Sequence, residues 1–188
     1  LDKYSAETIK FALLETNYRG DINVTDTLFP EAEKHLADFY KVFVAAKEKG
    51  VKIEGANENI DKEFDSCMDD DFNTALALSN LYGYFKKIKA KLAANDLSAG
   101  ADLNQIKTTY SLLGLFKEDP EEFIKRAEEK AAENQANVPE EVKKIADERF
   151  EARKNKDWAK SDELRAKLAA AGYSVKDAKD GYTLEKIK

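Results

Sequence analysis

Between Arg149 and Leu168 the chain gathers the side chains best suited to holding a ligand: Arg149, Arg153, Lys156, Asp157, Trp158, Lys160, Asp162 and Arg165. Trp158 is the only Trp in the protein. At about 100° per residue, Trp158 and Asp162 lie about 40° apart and share a helix face, whereas Arg153 falls about 140° away on an unbroken helix. Asn155-Lys156-Asp157 is turn-prone, however, and Asp157 is a good N-cap. A break there makes a helical hairpin that brings Arg153, Trp158 and Asp162 around one concavity. An exposed indole gives an unstacked base a stacking plane, worth roughly 1–3 kcal/mol. A carboxylate accepts from the N1–H and N2–H₂ edge of guanine, and a guanidinium offers forked donors to acceptors or phosphate. A plainer reading stands beside this one: the lone Trp packs into a small core, and Asp162 with Arg165 is an ordinary i,i+3 surface pair.

The elements that position this stretch come from hydrophobic periodicity. Ser5 can cap a first helix with an inner face of Ile9, Ala12, Leu13 and Thr16, broken by 18–23. Leu28, Ala32, His35, Leu36, Phe39, Tyr40 and Phe43 predict a second helix, with Pro30 in its first turn. Gly50 and Gly55 mark a loop, and Ile60, Phe64 and Cys67 a short third helix. Ala77, Leu81, Tyr84, Phe85, Ile88 and Leu92 line the longest helix, and Leu103, Ile106, Tyr110 and Leu113 a fifth, stopped by Gly114. Tyr82, Tyr84 and Phe85 read as packing, and Lys86, Lys87 and Lys89 as a solvated face that can also meet phosphate. Residues 1–116 are therefore expected to form a helical bundle.

Residues 117–138 turn rich in Glu, Lys, Ala, Asn and Gln, and are expected as a charged connector outside any core. Pro139 suits the start of a new helix carrying Val142, Ile145, Ala146 and Phe150. After Gly172 the helical period is lost, and Val175 and Leu184 sit in alternating stretches around 177–181, the pattern of a β-hairpin. Residues 139–188 thus form a small α+β domain. The overall class is mainly α.

Composition narrows the chemistry. The 188 residues carry one Cys and one His, too few for a disulfide framework or a Cys/His zinc site. Cys67 and His35 fall on apolar stripes of separate helices. Net charge is −6; residues 1–139 hold 18 basic against 26 acidic side chains, and residues 140–188 hold 13 against 11. That balance disfavours non-specific nucleic-acid binding and leaves the tail as the surface for local polyanion contact. Asp69-Asp70-Asp71 invites comparison with a Mg²⁺ site, but a helix start capped by Asn73 or Thr74 accounts for it better. The chain shows no transmembrane run and no signal-peptide core, so a soluble, cytoplasmic protein is expected. Leu1 is not an initiator Met, which points to a piece of something longer.

Four motifs in order resemble the C-terminal part of the bacterial cysteinyl-tRNA synthetase family, class I aminoacyl-tRNA synthetases. Tyr4-Ser5-Ala6-Glu7-Thr8-Ile9-Lys10 is similar to that family's "DALR" helix start, with Ser5 for the usual Asp and Lys10 for Arg. Tyr18-Arg19 with Ile22-Asn23 resembles the following loop, and Met68-Asp69-Asp70-Asp71-Phe72-Asn73-Thr74 a family signature. Arg149, Arg153, Lys156, Asp157, Trp158, Asp162, Arg165, Leu168, Gly172, Asp177 and Gly181 resemble the terminal anticodon-recognition module.

The resemblance implies a DALR-type anticodon-binding bundle over 1–116, bracing tRNA at its inner corner, and a reader of the GCA anticodon over 139–188. It implies Trp158 as the stacking plane for the anticodon guanine, with Arg153, Asp162 and Asp177 as polar readers. Arg149, Lys156, Lys160 and Arg165 are expected as phosphate contacts or scaffold ion pairs. The partner is tRNA(Cys), with neither DNA nor membrane, and the parent protein is monomeric. No HIGH-type motif, KMSKS-type loop or cysteine ligand set is present. The resemblance implies that ATP and zinc belong to a catalytic part outside this chain, and no cofactor, metal or catalytic residue is expected in the fragment itself. Two other functions fit the same sequence: a helical protein–protein interaction module without tRNA binding, and the bundle of the related ligase that joins cysteine to an amino sugar in mycothiol synthesis. The Arg153–Asp162 module argues against the second.

Overall fold

The computed structural model describes residues 3–178 and 181–186. Leu1, where the sequence suggests a longer chain, and Lys179 and Asp180, at the tip of the expected hairpin, lie outside the described residues. Among the described residues eight α-helices are followed by a two-stranded antiparallel sheet. The chain divides into two compact units: Leu1–Val24 with Leu28–Ala127, and Thr25–Thr27 with Glu128–Lys188. None of the described helices is long and apolar enough to cross a membrane.

Five helices build the first unit: α1 (Ala6–Leu14), α2 (Leu28–Glu48), α3 (Glu58–Asp69), α4 (Thr74–Ala93) and α5 (Ala99–Tyr110). Their starts are set by side-chain caps that satisfy orphan N–H groups. Ser5 accepts from the Thr8 N–H at 3.1 Å, Asn57 from Asn59 at 3.2 Å and Asn73 from Leu76 at 3.0 Å. A short 3₁₀ turn, Ser111–Leu113, follows α5 and ends at Gly114 with φ 77°, a left-handed cap that glycine adopts without strain. The expected stripe of α4 is buried throughout, from Ala77 to Leu92. Phe39 stacks on Phe85 with centroids 4.4 Å apart, and Phe11, Tyr40, Phe43 and Phe116 close around them. Tyr82 is the exception among the expected packing aromatics: it is 40% exposed, its ring edge-on to His35 and Phe39.

The inner face of α1 differs from the expected Ile9, Ala12, Leu13 and Thr16. Glu7, Thr8, Phe11 and Ala12 are buried, and Leu13 is 40% exposed. The cause is a buried carboxylate. Glu7 accepts from the Tyr40 hydroxyl at 2.8 Å, from the Phe116 N–H at 2.8 Å and from the Lys117 N–H at 3.2 Å. An apolar-periodicity reading assigns Glu to solvent, and so rotates the helix away from its real face.

Two further expectations need correction. The Asp69-Asp70-Asp71 run does not open a helix: Asp69 ends α3, and Asp71 and Phe72 take left-handed φ values of 52° and 53° in the connection to α4. Negative charge there is offset locally, because Asp71 accepts from Arg19 Nη2 and from the Tyr18 hydroxyl, both at 2.8 Å. Residues 117–138 are also more than a solvated connector. They form α6 (Pro120–Ala136), whose first turn joins the bundle core. Phe123 is fully buried, with its ring 4.7 Å from that of Tyr40. Phe123 and its neighbour Ile124, adjacent in an otherwise charged stretch, make no periodic stripe, so their packing left little trace in the pattern.

In the second unit α7 (Glu140–Lys154) and α8 (Trp158–Ala170) form the expected helical hairpin, followed by β1 (Tyr173–Ala178) and β2 (Gly181–Lys186). Val175 pairs with Leu184 across the sheet, and both face a small core with Val142, Ala146, Leu168 and Tyr173. A core this small depends on polar fasteners as well as burial.

Candidate nucleic-acid interface

The break between α7 and α8 is a compact three-residue turn. Lys156 takes φ 59° and its N–H donates to Arg153 O at 3.0 Å, while Asp157 N–H donates to Ala152 O at 2.8 Å. This is the Schellman pattern of a helix end, here with Lys rather than Gly in the left-handed position. Asp157 then caps α8 by accepting from the Lys160 N–H at 3.1 Å. Trp158 is thereby placed at the first position of α8, directly across the turn from the last turn of α7.

Trp158 is 54% exposed, which rules out the core reading of the indole. The guanidinium of Arg153 lies over its ring, 5.5 Å from the centroid, within the range of a cation–π contact. Asp162 and Arg165 follow Trp158 on the same stripe of α8, four and seven positions on, and both are exposed. Among the described residues no ion pair links Asp162 to Arg165, so the plain surface-pair reading does not describe this face either. The Asp162 carboxylate has no hydrogen-bond partner among the described residues, and its acceptor capacity is open to a ligand. Lys156 and Lys160 are exposed.

Asp177 stands on β1 opposite Tyr182 and is occupied. Arg149 grips it with both ends of its fork, Nη1 to Oδ1 at 2.7 Å and Nη2 to Oδ2 at 3.0 Å. Arg153 Nη1 lies 3.5 Å from the same Oδ2. The Arg149 side chain is only 3% exposed, and its Nε is buried without a partner. The hydrogen bonds from Arg149, and then the charges of Arg149, Arg153 and Arg165, hold the Asp177 carboxyl below the usual carboxylate range against a smaller opposing effect of burial. Of the two alternatives for Arg149, phosphate contact or scaffold pair, its geometry is that of the scaffold. A second fastener was not visible in the sequence: the Tyr182 hydroxyl donates to Asp147, and the Tyr182 ring packs on Phe150 at 5.9 Å. Tyr182 next to Gly181 gave no motif, but its position two residues from Leu184 puts both on one strand face.

The protein's one Cys and one His both sit in packed surroundings. Cys67 is buried and accepts from Asn80 Nδ2 at 3.6 Å, while His35 packs edge-on against Tyr82. Among the described residues no group of three or more His, Cys, Asp or Glu can hold a metal ion.

The fold is a helical bundle and a small α+β unit, the latter with an exposed indole, an open carboxylate and clustered guanidinium groups, a set of side chains suited to a nucleobase. Residues 63–117 match the DALR domain family, and residues 135–183 match the cysteinyl-tRNA ligase anticodon binding domain. Residues 63–117 are thus a DALR domain and residues 135–183 an anticodon-binding domain, which together support a tRNA-binding region. It is similar over 97% of its length to a cysteine–tRNA ligase of Geotalea daltonii, with 30% identity, and of Pseudomonas aeruginosa, with 35% identity. A third such ligase, from Thermodesulfovibrio yellowstonii, is 32% identical over the whole chain. The chain covers 42%, 38% and 42% of these relatives, about two fifths of their length. Arg149, Arg153, Trp158, Asp162, Arg165 and Asp177 all fall within the matched anticodon-binding stretch.

Proposed function

We propose that this chain is the tRNA-binding part of a monomeric, cytoplasmic cysteine–tRNA ligase, and that it reads the GCA anticodon of tRNA(Cys). The bundle braces the inner corner of the tRNA. A catalytic part outside this chain supplies ATP and zinc chemistry and attaches cysteine. The observation that carries this reading is the half-exposed Trp158 at the head of α8, flanked by the Arg153 guanidinium and followed one turn later by the unpaired Asp162 carboxylate. The indole stacks the anticodon guanine, and Asp162 accepts from its N1–H and N2–H₂ groups. Arg153 and Asp177 border the same concavity. Arg165, Lys156 and Lys160 supply positive charge for the loop phosphates, which makes binding local and salt-dependent rather than a bulk charge effect.

The test is binding of an anticodon stem-loop RNA bearing GCA to this chain. Trp158→Ala is expected to weaken binding by about one to two orders of magnitude, the loss of one base–indole stack. A parallel measurement in the longer protein should show cysteine activation intact and tRNA charging impaired. Equal binding by wild type and Trp158→Ala would reject the reading. The acidic balance of residues 1–139 favours one rival, a protein-interaction module. That rival predicts no RNA protection anywhere on the chain.

A further inference from the structure

We propose that Asp177 and Arg149 are positioning residues that hold the Arg153 guanidinium against one face of the Trp158 indole, so that a base stacks on the opposite face alone. This rests on the reading that Trp158 stacks an anticodon base, and it gives Asp177 a task other than reading a base edge.

The contacts run in series from the interior of the second unit to its surface. Arg149, buried to 3% exposure, carries a charge that must be paired, and both its Nη groups are committed to Asp177. The carboxylate is therefore fixed in place by a fork, the most geometrically specific pairing available to it. Its Oδ2 then faces Arg153 Nη1 at 3.5 Å. Arg153, whose side chain is 39% exposed, lies with its guanidinium over the indole at 5.5 Å. Each residue in the series is more exposed than Arg149, and the last is the stacking plate.

This arrangement has two physical consequences. A Trp at the first position of a helix has no preceding helical turn to restrict its rotamer, so an unsupported indole loses side-chain freedom when a base stacks on it. A guanidinium held on one face removes part of that freedom before binding. Second, an Asp bound on both oxygens by Arg149, with Oδ2 also facing Arg153, offers a base fewer open acceptor sites than the unpaired Asp162. Its loss should affect all anticodon sequences alike. Asp162, with no partner among the described residues, is where discrimination resides.

The single Trp makes the inference directly measurable, because every fluorescence signal from indole reports on residue 158. The experiment uses the whole chain as wild type, Asp177→Asn, Asp177→Glu and Arg153→Gln. It records acrylamide quenching and time-resolved anisotropy without RNA, then affinity for stem-loops with GCA and with single-base changes over a range of salt. Asp177→Asn and Arg153→Gln are expected to raise quenching and speed local indole motion in the free protein. Both should weaken binding by about two- to tenfold. For Asp177→Asn that factor should be the same on every loop, with the slope of affinity against salt unchanged, and Asp177→Glu should restore part of the loss. Unchanged quenching in both variants overturns the proposal. So does an Asp177→Asn loss confined to one anticodon base, which would make it an edge reader. Because Asp177→Asn strands the Arg149 charge and can unfold the unit, Arg153→Gln leaves that pair intact and decides the matter: it must loosen the indole without lowering the melting temperature. Failure of the wild-type chain to bind any loop sinks the anticodon reading instead, leaving the free-protein fluorescence result to stand by itself.

Discussion

The Glu7 carboxylate in α1 accepts the hydroxyl of Tyr40 in α2 at 2.8 Å, in an interior where Glu7 is only 4% exposed. Burial is the largest influence on this carboxyl and raises its pKa above 4.5, against the lowering effect of its hydrogen bonds. A carboxyl with a raised folded-state pKa binds its proton more tightly when folded. Its contribution to stability is therefore greatest in acid and declines as pH rises through the interval above 4.5. Glu7→Gln cannot titrate, and a melting series across that interval should show a smaller fall than wild type. Glu7→Ala leaves the Tyr40, Phe116 and Lys117 donors without an acceptor, and should cost about 3 kcal/mol in chemical denaturation.

Asp177 gives the opposite pH dependence. Its carboxyl is held below 3.8, first by the hydrogen bonds from Arg149. The stability it lends is fully present above 3.8 and disappears as pH falls through the lower folded-state value. Acid unfolding of the second unit should therefore begin below the ordinary Asp range in wild type, and this feature should vanish in Asp177→Asn. At neutral pH that variant should lose about 3 kcal/mol, the low end for breaking a buried pair, since Asp177 keeps 31% side-chain exposure. Circular dichroism and the Trp158 signal together follow both transitions.

The two signs trace to the limit of what the chain's pattern conveys. The starts of α1, α4 and α8, the α4 stripe, the hairpin break at 155–157 and the C-terminal β-hairpin were legible because capping residues and periodic apolar side chains announce them. Helical spacing put Trp158 and Asp162 on one side of α8, but only the structure decided between a core indole and an exposed one. The burial of Glu7, Arg149 and Phe123 was not legible. Each is buried by partners far along the chain: Glu7 by Phe116, Arg149 by Asp177, Phe123 by Tyr40. A buried charge reads as surface in any periodicity, and only the folded arrangement shows the donor or acceptor that makes its burial tolerable.

Phe123 tests how far α6 belongs to the bundle. Its ring is fully buried beside Tyr40, and the Arg126 guanidinium covers it at 5.1 Å while pairing with Glu118 at 2.7 Å. Phe123→Ala should destabilise the first unit by about 3–5 kcal/mol, the range for removing a buried phenyl ring. Glu133→Ala, on an exposed position further along the same helix, should change stability by no more than about 0.5 kcal/mol. Equal, small effects of the two would return residues 117–138 to the status of a tether.

Asp162 separates recognition from mere attachment. It lies one turn beyond Trp158 on an exposed face and makes no hydrogen bond or ion pair among the described residues, so removing it leaves no group stranded. Asp162→Asn should fold and melt as wild type. The amide keeps one acceptor but presents an N–H₂ toward a guanine edge that offers only donors, so one of two contacts turns repulsive. Discrimination between a guanine and an adenine at the stacked position should fall by about 1–3 kcal/mol. Affinity for an adenine-bearing loop, whose N1 accepts and N6 donates, should hold or rise. Trp158→Phe gives the complementary pattern: weaker binding to every loop with the guanine preference retained, because the ring supplies stacking and the carboxylate supplies the choice. Competition titrations of the two stem-loops against each variant measure both quantities at once. A guanine preference that survives Asp162→Asn would place the discriminating contact on another residue of the concavity.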